Sequence, residues 1–259
     1  VDWTADPRRD QAWYDAKKSE TPPGKMAQEY PSNPREAFLI SGRPVFDTAV
    51  LDEMAQTALL ALPKDELPPS MAKLTGLSVY KLPEKGHWYL LGADCSEGKV
   101  HGDFNCCVVL DFQTFEEVAC LHNKLPPDLF AAELDVLATV YPGRLAVELN
   151  GPGVAVLSHL RPMPIRNVRP YQLHHETRML RDPDIPNAKA MPVRELGWRT
   201  TVQSKPKAIS EWEAAIRKRE TKINSPRLVS EHLIYRTNDD GSTSAPSGKH
   251  DDTVMAAAI

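Results

Sequence analysis

Hydrophobic and polar positions follow three different patterns along this chain of 259 residues. Up to about residue 75 the chain is polar and rich in proline, and apolar residues recur at helical spacing only within 10–18 and 47–62. We therefore expect residues 1–75 to form an arm that wraps around the remainder. Because the chain starts with Val1 and ends in an apolar run at Ile259, we expect it to be a piece of a longer protein.

The middle and end of the chain alternate between strand and helix patterns. Short apolar runs predict four strands, of which the second and third form a hairpin, at 88–93, 104–112, 116–123 and 144–149. Helical spacing predicts helices at 125–141, 154–160, 209–219 and 250–259, and a further buried element at 228–237. This alternation predicts an α/β fold in which helices flank a mixed central sheet.

Residues 161–207 form a basic stretch interrupted by prolines, which we expect to be an irregular insertion. The stretch carries a net charge of +6, although the whole chain carries −4. That overall charge excludes a uniformly basic nucleic-acid-binding protein but permits a local basic face that contacts phosphates. The alternative is an ordinary solvated loop. Five residues are predicted to bind DNA: Arg166, Arg169, Arg178, Arg181 and Lys205.

Composition narrows the class of protein further. A hydrophobic fraction of 41% and a charged fraction of 25% indicate a chain with a real core rather than a disordered one. No apolar run approaches the roughly 20 residues that a membrane span requires. The four cysteines suit a reducing compartment. They do not form a zinc motif, because the adjacent Cys106 and Cys107 must point to opposite faces of a strand.

Acidic residues stand at the ends of predicted buried elements. Asp94 ends the first strand, Glu148 lies near the end of the fourth, and Asp251 and Asp252 open the last helix. Such charges are costly unless they are paired or bind a cation, and Mg²⁺ prefers oxygen ligands. Taken singly, Asp94 could form a turn, Asp251 could cap its helix, and Glu148 could pair with an arginine.

Four motifs of the chain resemble the nuclease domain of the large terminase subunit, the DNA-packaging enzyme of tailed bacteriophages. They are GADCSEGK at 92–99, AVELNGPG at 146–153, GWRTT at 197–201 and GKHDDTVMA at 248–256. The segment EYPSNPREAFLISG at 29–42 resembles the part of that family that leaves its ATPase domain. The resemblance implies a linker from a missing ATPase domain at 1–75 and an RNase H-like, RuvC-type nuclease domain at 76–259.

The resemblance also implies an activity, ligands and partners. It implies an endonuclease that cuts concatemeric double-stranded DNA with two Mg²⁺ or Mn²⁺ ions in the cytoplasm of a bacterial host. The ATPase motor domain, the small terminase subunit and the portal are the implied partners. Asp94, Glu148 and Asp251 are the implied catalytic metal ligands. Asp252 is a further metal ligand, and Asp103 and His250 are auxiliary residues.

Two features limit or refine this interpretation. The chain lacks the phosphate-binding sequence G-x-x-x-x-G-K-[ST], so we expect no ATP site within it. A non-catalytic module that grips DNA or docks on the portal remains an alternative, as does a resolvase or transposase-type nuclease of the same fold. Within the last helix, Asp251 shares a face with Val254 and Met255, so we expect Asp251 to face the strand ends and Asp252 to lie at the rim.

Overall fold

The computed structural model of the chain describes residues 8–20, 30, 43–99, 101–160, 171–180 and 189–259. The helices within these ranges are numbered here in chain order. They are α1 (Gln11–Glu20), α2 (Thr48–Gln56), α3 (Pro127–Val140), α4 (Gly153–Leu160), α5 (Ser204–Arg217), α6 (Pro226–Ile234) and α7 (Asp252–Ala258). None of the helices in these ranges is long and apolar enough to cross a membrane.

A mixed sheet forms the centre of the fold. Its six strands lie in the spatial order β2 (Leu77–Val79), β5 (Glu117–Asn123), β4 (Asn105–Asp111), β3 (Tyr89–Asp94), β6 (Gly143–Val147) and β7 (Gln172–Leu173). Neighbours from β2 to β3 are antiparallel, whereas β3, β6 and β7 run parallel to one another. Two smaller sheets pair β8 (His175–Leu180) with β9 (Met191–Leu196), and β1 (Arg43–Pro44) with β10 (Arg236–Thr237) and β11 (Thr243–Ser244).

The sheet is buried on both faces because its strands contribute alternate side chains to two apolar cores. On β4, Cys107 and Val109 enter the core covered by α3 and α4, whereas Cys106 and Val108 enter the core covered by α2, α5, α6 and α7. This alternation follows from the period of two residues along a strand. It confirms that the adjacent cysteines point to opposite faces, and all four cysteines are free and buried.

The predicted mixed α/β sheet with flanking helices is confirmed, although the helix predicted over 209–219 is α5, which begins at Ser204. Two further differences concern α2 and the basic stretch. The helix predicted over 47–62 is α2, which ends at Gln56. Beyond it, the backbone amide of Leu59 donates to Asn224 Oδ1 at 2.9 Å and that of Leu62 to Val79 O at 2.7 Å. These bonds to distant parts of the chain compete with helical ones. The second difference is in the basic stretch, which is not wholly irregular, since β8 and β9 pair over six residue positions.

Residues 43–75 pack into both cores. Phe46 and Leu51 are buried with the helices on one face of the sheet, and Met71 and Leu74 are buried on the other. The division of the chain at residue 75 stays a prediction.

Candidate functional site

Two predicted acids lie side by side at one edge of the central sheet. The parallel register pairs Ala93 of β3 with Val147 of β6, so the next residues, Asp94 and Glu148, emerge from neighbouring strands at the same level. The backbone amide of Glu148 donates to Ala93 O at 2.8 Å, which extends the ladder to that point. Residue spacing on parallel strands therefore places both carboxyl groups together.

The carboxyl group of Asp94 lies close to several other acids. Burial, above all, raises the pKa of Asp94 well above its usual value, followed by the neighbouring carboxyl group of Glu148 and the charges of Asp252 and Asp251. These acids therefore repel one another when no cation is bound.

The helix α7 brings a third element to the same edge, because it packs directly on the backbone of β3. A methyl group at Gly92 would overlap the carbonyl oxygen of Ala256, so the close approach depends on a glycine at this position. A glycine is required in the same way at the start of α4, where a Cβ at Gly153 would overlap the carbonyl oxygen of Glu148.

Asp252 is the more buried of the two acids at the start of α7. It is 6% exposed, and its Oδ2 accepts a hydrogen bond from the backbone amide of Phe104 at 3.2 Å. Burial is the main cause that raises the pKa of Asp252 to about 7; the charges of Glu231 and Asp103 add to it, and the Phe104 bond opposes it.

Asp251 occupies the N-cap position of α7, where its carboxylate makes no capping hydrogen bond. It lies 3.9 Å from Lys205 Nζ, and 28% of its side chain is exposed. The prediction that Asp252 lies at the rim, outside Asp251, is therefore wrong. The helical projection assumed that both residues are helical, but Asp251 has φ −129° and only Asp252 belongs to the first turn.

Asp103 and His250 adjoin Asp252. Their ligand atoms and those of Asp252 all lie within 4.8 Å of one another, and His250 Nδ1 is 3.4 Å from Asp103 Oδ1 and 3.6 Å from Asp252 Oδ2. In the described part of the chain, His250 Nδ1 is buried and has no hydrogen-bond partner. A cavity of about 310 Å³ connects this group to Asp94, and its lining includes Asp94, Lys99, Asp103, Phe104, Pro152 and Asp252.

Glu231 is a site residue that sequence reasoning missed. This buried residue of α6 accepts from both Thr253 N, at 2.9 Å, and Thr253 Oγ1, at 2.5 Å. Its carboxylate thus holds the first turn of α7, which carries Asp252. The two partners are 22 positions apart on different helices, so no local motif indicates the bond.

The predicted DNA-binding residues have different outcomes. Arg166, Arg169 and Arg181 lie outside the described residues, and Arg178 lies on β8 with its side chain outside them. Lys205, at the start of α5, lies beside Asp251 at the acid cluster. Its predicted role in DNA binding stays a prediction.

The donor set fits hard divalent cations. It consists of the carboxylates of Asp94, Glu148, Asp251 and Asp252, with Asp103 and His250 beside them, and oxygen ligands are those that Mg²⁺ and Mn²⁺ prefer. The alternative partners are not seen in the described residues, where no ion pair joins Glu148 to an arginine and Asp251 makes no cap bond.

Solved structures of phage proteins share this fold. The large terminase nuclease of thermophilic phage G20c, in a crystal structure with bound cobalt, is 20% identical, with a TM-score of 0.56 over 83% of this chain and 95% of that one. Its structure with bound magnesium gives a TM-score of 0.54 at the same identity and coverage. The large terminase nuclease domain of Thermus phage P74-26 is 18% identical, with a TM-score of 0.52 over 83% of this chain and 93% of that one.

These similarities establish the fold, and the predicted RNase H-like class is confirmed by them. No protein-family sequence profile matches the chain, and no curated protein sequence matches it. The fold is thus common to this chain and to nuclease domains of phage terminases, and the activity has to be argued from the acid cluster.

Proposed function

We propose that this chain is a metal-dependent endonuclease domain that cuts concatemeric double-stranded DNA during the packaging of a phage genome. The observation that carries the proposal is the meeting of Asp94, Glu148 and Asp252 from two strands and a helix, where the charges of Glu148 and Asp252 act on Asp94 and Asp252 is buried. If these acids served only to stabilise the fold, apolar side chains would do so better, because placing mutually repelling carboxylates together is costly.

We assign the cation ligands from the geometry of the acids. Asp94, Glu148 and Asp252 would hold the cation nearest the sheet, with Asp251 at its outer side, and Asp103 and His250 would extend the site toward a second ion. Two divalent cations, when bound, supply polarisation of the scissile phosphate and activation of a water molecule. The ions in the proposal are Mg²⁺ or Mn²⁺.

The surrounding residues position these ligands. Glu231 fixes the first turn of α7 through Thr253, and the Phe104 amide fixes the carboxylate of Asp252. Lys205 offsets part of the negative charge beside Asp251, so a phosphate can approach.

The wider setting follows from the same proposal. In the full protein, residues 1–75 would link this domain to an ATPase motor domain, and the small terminase subunit and the portal would be its partners in the cytoplasm of the bacterial host. A module that only grips DNA or docks on the portal has no use for carboxyl groups brought together from two strands and a helix. For that reason we favour the enzyme.

A plasmid cleavage assay tests the proposed function. The purified chain should nick and linearise plasmid in Mn²⁺ or Mg²⁺ and be inactive in EDTA. Asp94→Asn and Glu148→Gln should each lower cleavage by roughly 100-fold or more, because the loss of even a group that hydrogen-bonds to a metal ligand costs about 10- to 100-fold. Asp240→Asn, at an exposed acid of the loop before β11, is the matched control and should cut normally. Equal cleavage by all four proteins would refute the assignment.

A further inference from the structure

Next to the acids, an aromatic ring is surrounded by basic side chains. We call Phe104, His122, Lys124, Arg227 and His250 the Phe104 cluster. The His122 ring stacks on Phe104 at 4.2 Å between centroids, and His250 meets it edge-on at 5.2 Å. Lys124 Nζ lies 4.2 Å from the ring centroid and Arg227 Cζ 5.9 Å from it. Both cations lie within the range of a cation–π contact.

The Phe104 cluster and the acid site share a residue. The backbone amide of Phe104 donates to Asp252, while its ring gathers the cations. His250 likewise contacts the ring and lies beside Asp103 and Asp252. The Phe104 cluster and the acid site are therefore adjacent.

The cluster concentrates positive charge. The pKa of His122 falls to about 4, first because of burial and then because of the charges of Arg227, His250 and Lys124. Arg227 is exposed in the first turn of α6, and it forms no ion pair with the residues that the structure describes. The exposed Lys249 lines the same groove as Arg227 and His250. This concentration of cations contrasts with the net charge of −4 of the whole chain.

A polar cavity opens beside the same side chains. It measures about 220 Å³ and is lined in part by Ser78, His122, Ser225 and Arg227. Within the described residues, His122 Nε2 is buried and has no hydrogen-bond partner. A buried polar atom of this kind calls for a partner from a ligand or a water molecule. Guanidinium, imidazole and hydroxyl groups together are suited to the oxygens of a phosphate.

We propose that the Phe104 cluster binds the phosphodiester backbone of the DNA beside the acid site, with Lys124 and Arg227 as direct phosphate contacts. This inference rests on the proposed function and names a DNA-binding surface between β5 and α6, separate in sequence from the basic stretch 161–207. Phe104 holds the two cations in place through its ring. Because phosphate contacts carry no base information, the surface binds every DNA sequence alike.

Fluorescence anisotropy with a short labelled duplex in EDTA tests this surface, because no cleavage occurs there. The double variant Lys124→Gln/Arg227→Gln should bind at least about tenfold more weakly, and the slope of log K against log salt should fall in magnitude by roughly 1.8 for two lost contacts. Lys85→Gln/Lys218→Gln removes two exposed charges from residues near the start of β3 and the end of α5. This control should keep the wild-type affinity and slope.

A second measurement uses the wild-type chain, so its result does not depend on whether the double variant folds. Acetylation of lysines, followed by mass spectrometry, should show Lys124 protected by DNA and Lys85 and Lys218 not protected. Equal modification of Lys124 with and without DNA, or an unchanged salt slope in the double variant, overturns the inference. If the wild type still cuts plasmid in that case, the proposed function stands. A wild type that neither binds nor cuts DNA overturns both.

Discussion

Ionisation of the buried carboxyl group of Asp252 is unfavourable in the folded chain. The pKa of this group is about 7 in the folded chain, against an ordinary value of 3.8. Between about pH 4 and pH 7, the Asp252 carboxyl group is therefore protonated in the folded state and ionised in the unfolded state. Stability contributed by this group falls as pH rises through that window, and the loss is complete above about pH 7.

Replacing Asp252 by asparagine should therefore stabilise the metal-free protein at pH 8. In EDTA, Asp252→Asn should raise the melting temperature above that of the wild type at pH 8, and the difference should shrink to nothing near pH 4. Asp240→Asn is the control of opposite sign, because hydrogen bonds from Ser242 lower the pKa of Asp240. Thermal melts across pH measure both. Parallel curves for wild type and Asp252→Asn would show that Asp252 is not held in the buried state described here.

Individual residues of the site were predictable only where strand ends fix them. Asp94 and Glu148 follow from short apolar runs that end in an acid, and the parallel register places them together. The orientations of Asp251 and Asp252 were not predictable, because they depend on which residue begins the helix. Glu231 carries no sequence signal, since its bond to Thr253 arises only from packing of α6 against α7.

At the scale of elements, contact between α7 and β3 determines where Asp252 lies. The helix rests on Gly92, two residues before Asp94, and its residues from Asp252 to Ala257 are buried. A side chain at position 92 would have to displace the backbone of α7 at Ala256. The distance between Asp94 and Asp252 therefore depends on a residue that has no functional group.

The substitution Gly92→Ala tests this dependence. It should cost about 1–3 kcal/mol of unfolding free energy, as overpacking does in other cores. It should also lower metal-dependent cleavage by 10-fold or more, because a misplacement of about 1 Å in a catalytic constellation can cost 100-fold. Denaturant unfolding and plasmid cleavage measure the two effects. Wild-type cleavage by Gly92→Ala would contradict the close packing of α7 on β3.

Helices and strands were predictable to the extent that local pattern determines them. The buried strands β3, β4 and β5 and the helices α3 and α4 follow from apolar runs and helical spacing, with Pro127 at the start of α3. The end of α2 was not predictable, because it depends on a hydrogen bond from the amide of Leu59 to Asn224, which lies far along the chain. The pairing of β8 with β9 was obscured by the prolines and charges of the basic stretch.

Across the whole molecule, opposite charges meet at one edge of the sheet. The acids lie where β3 and β6 end and α7 begins, and the Phe104 cluster borders them from β5 and α6. Alternation of strands and helices predicts the mixed sheet, but it does not predict which basic residues come near the acids. Lys124 and Arg227 are separated by about a hundred positions in the chain and share a surface only through the fold.

We propose that the acids from β3, β6 and α7 form one divalent-cation centre. Calorimetric titration of Mn²⁺ at pH 8 tests it most directly, because it measures binding at the acids without requiring DNA. The wild type should bind Mn²⁺, and Asp94→Asn should bind it at least about tenfold more weakly, because the loss of even a group that hydrogen-bonds to a metal ligand costs about that much metal affinity. The same affinity and stoichiometry in wild type and Asp94→Asn would contradict the claim.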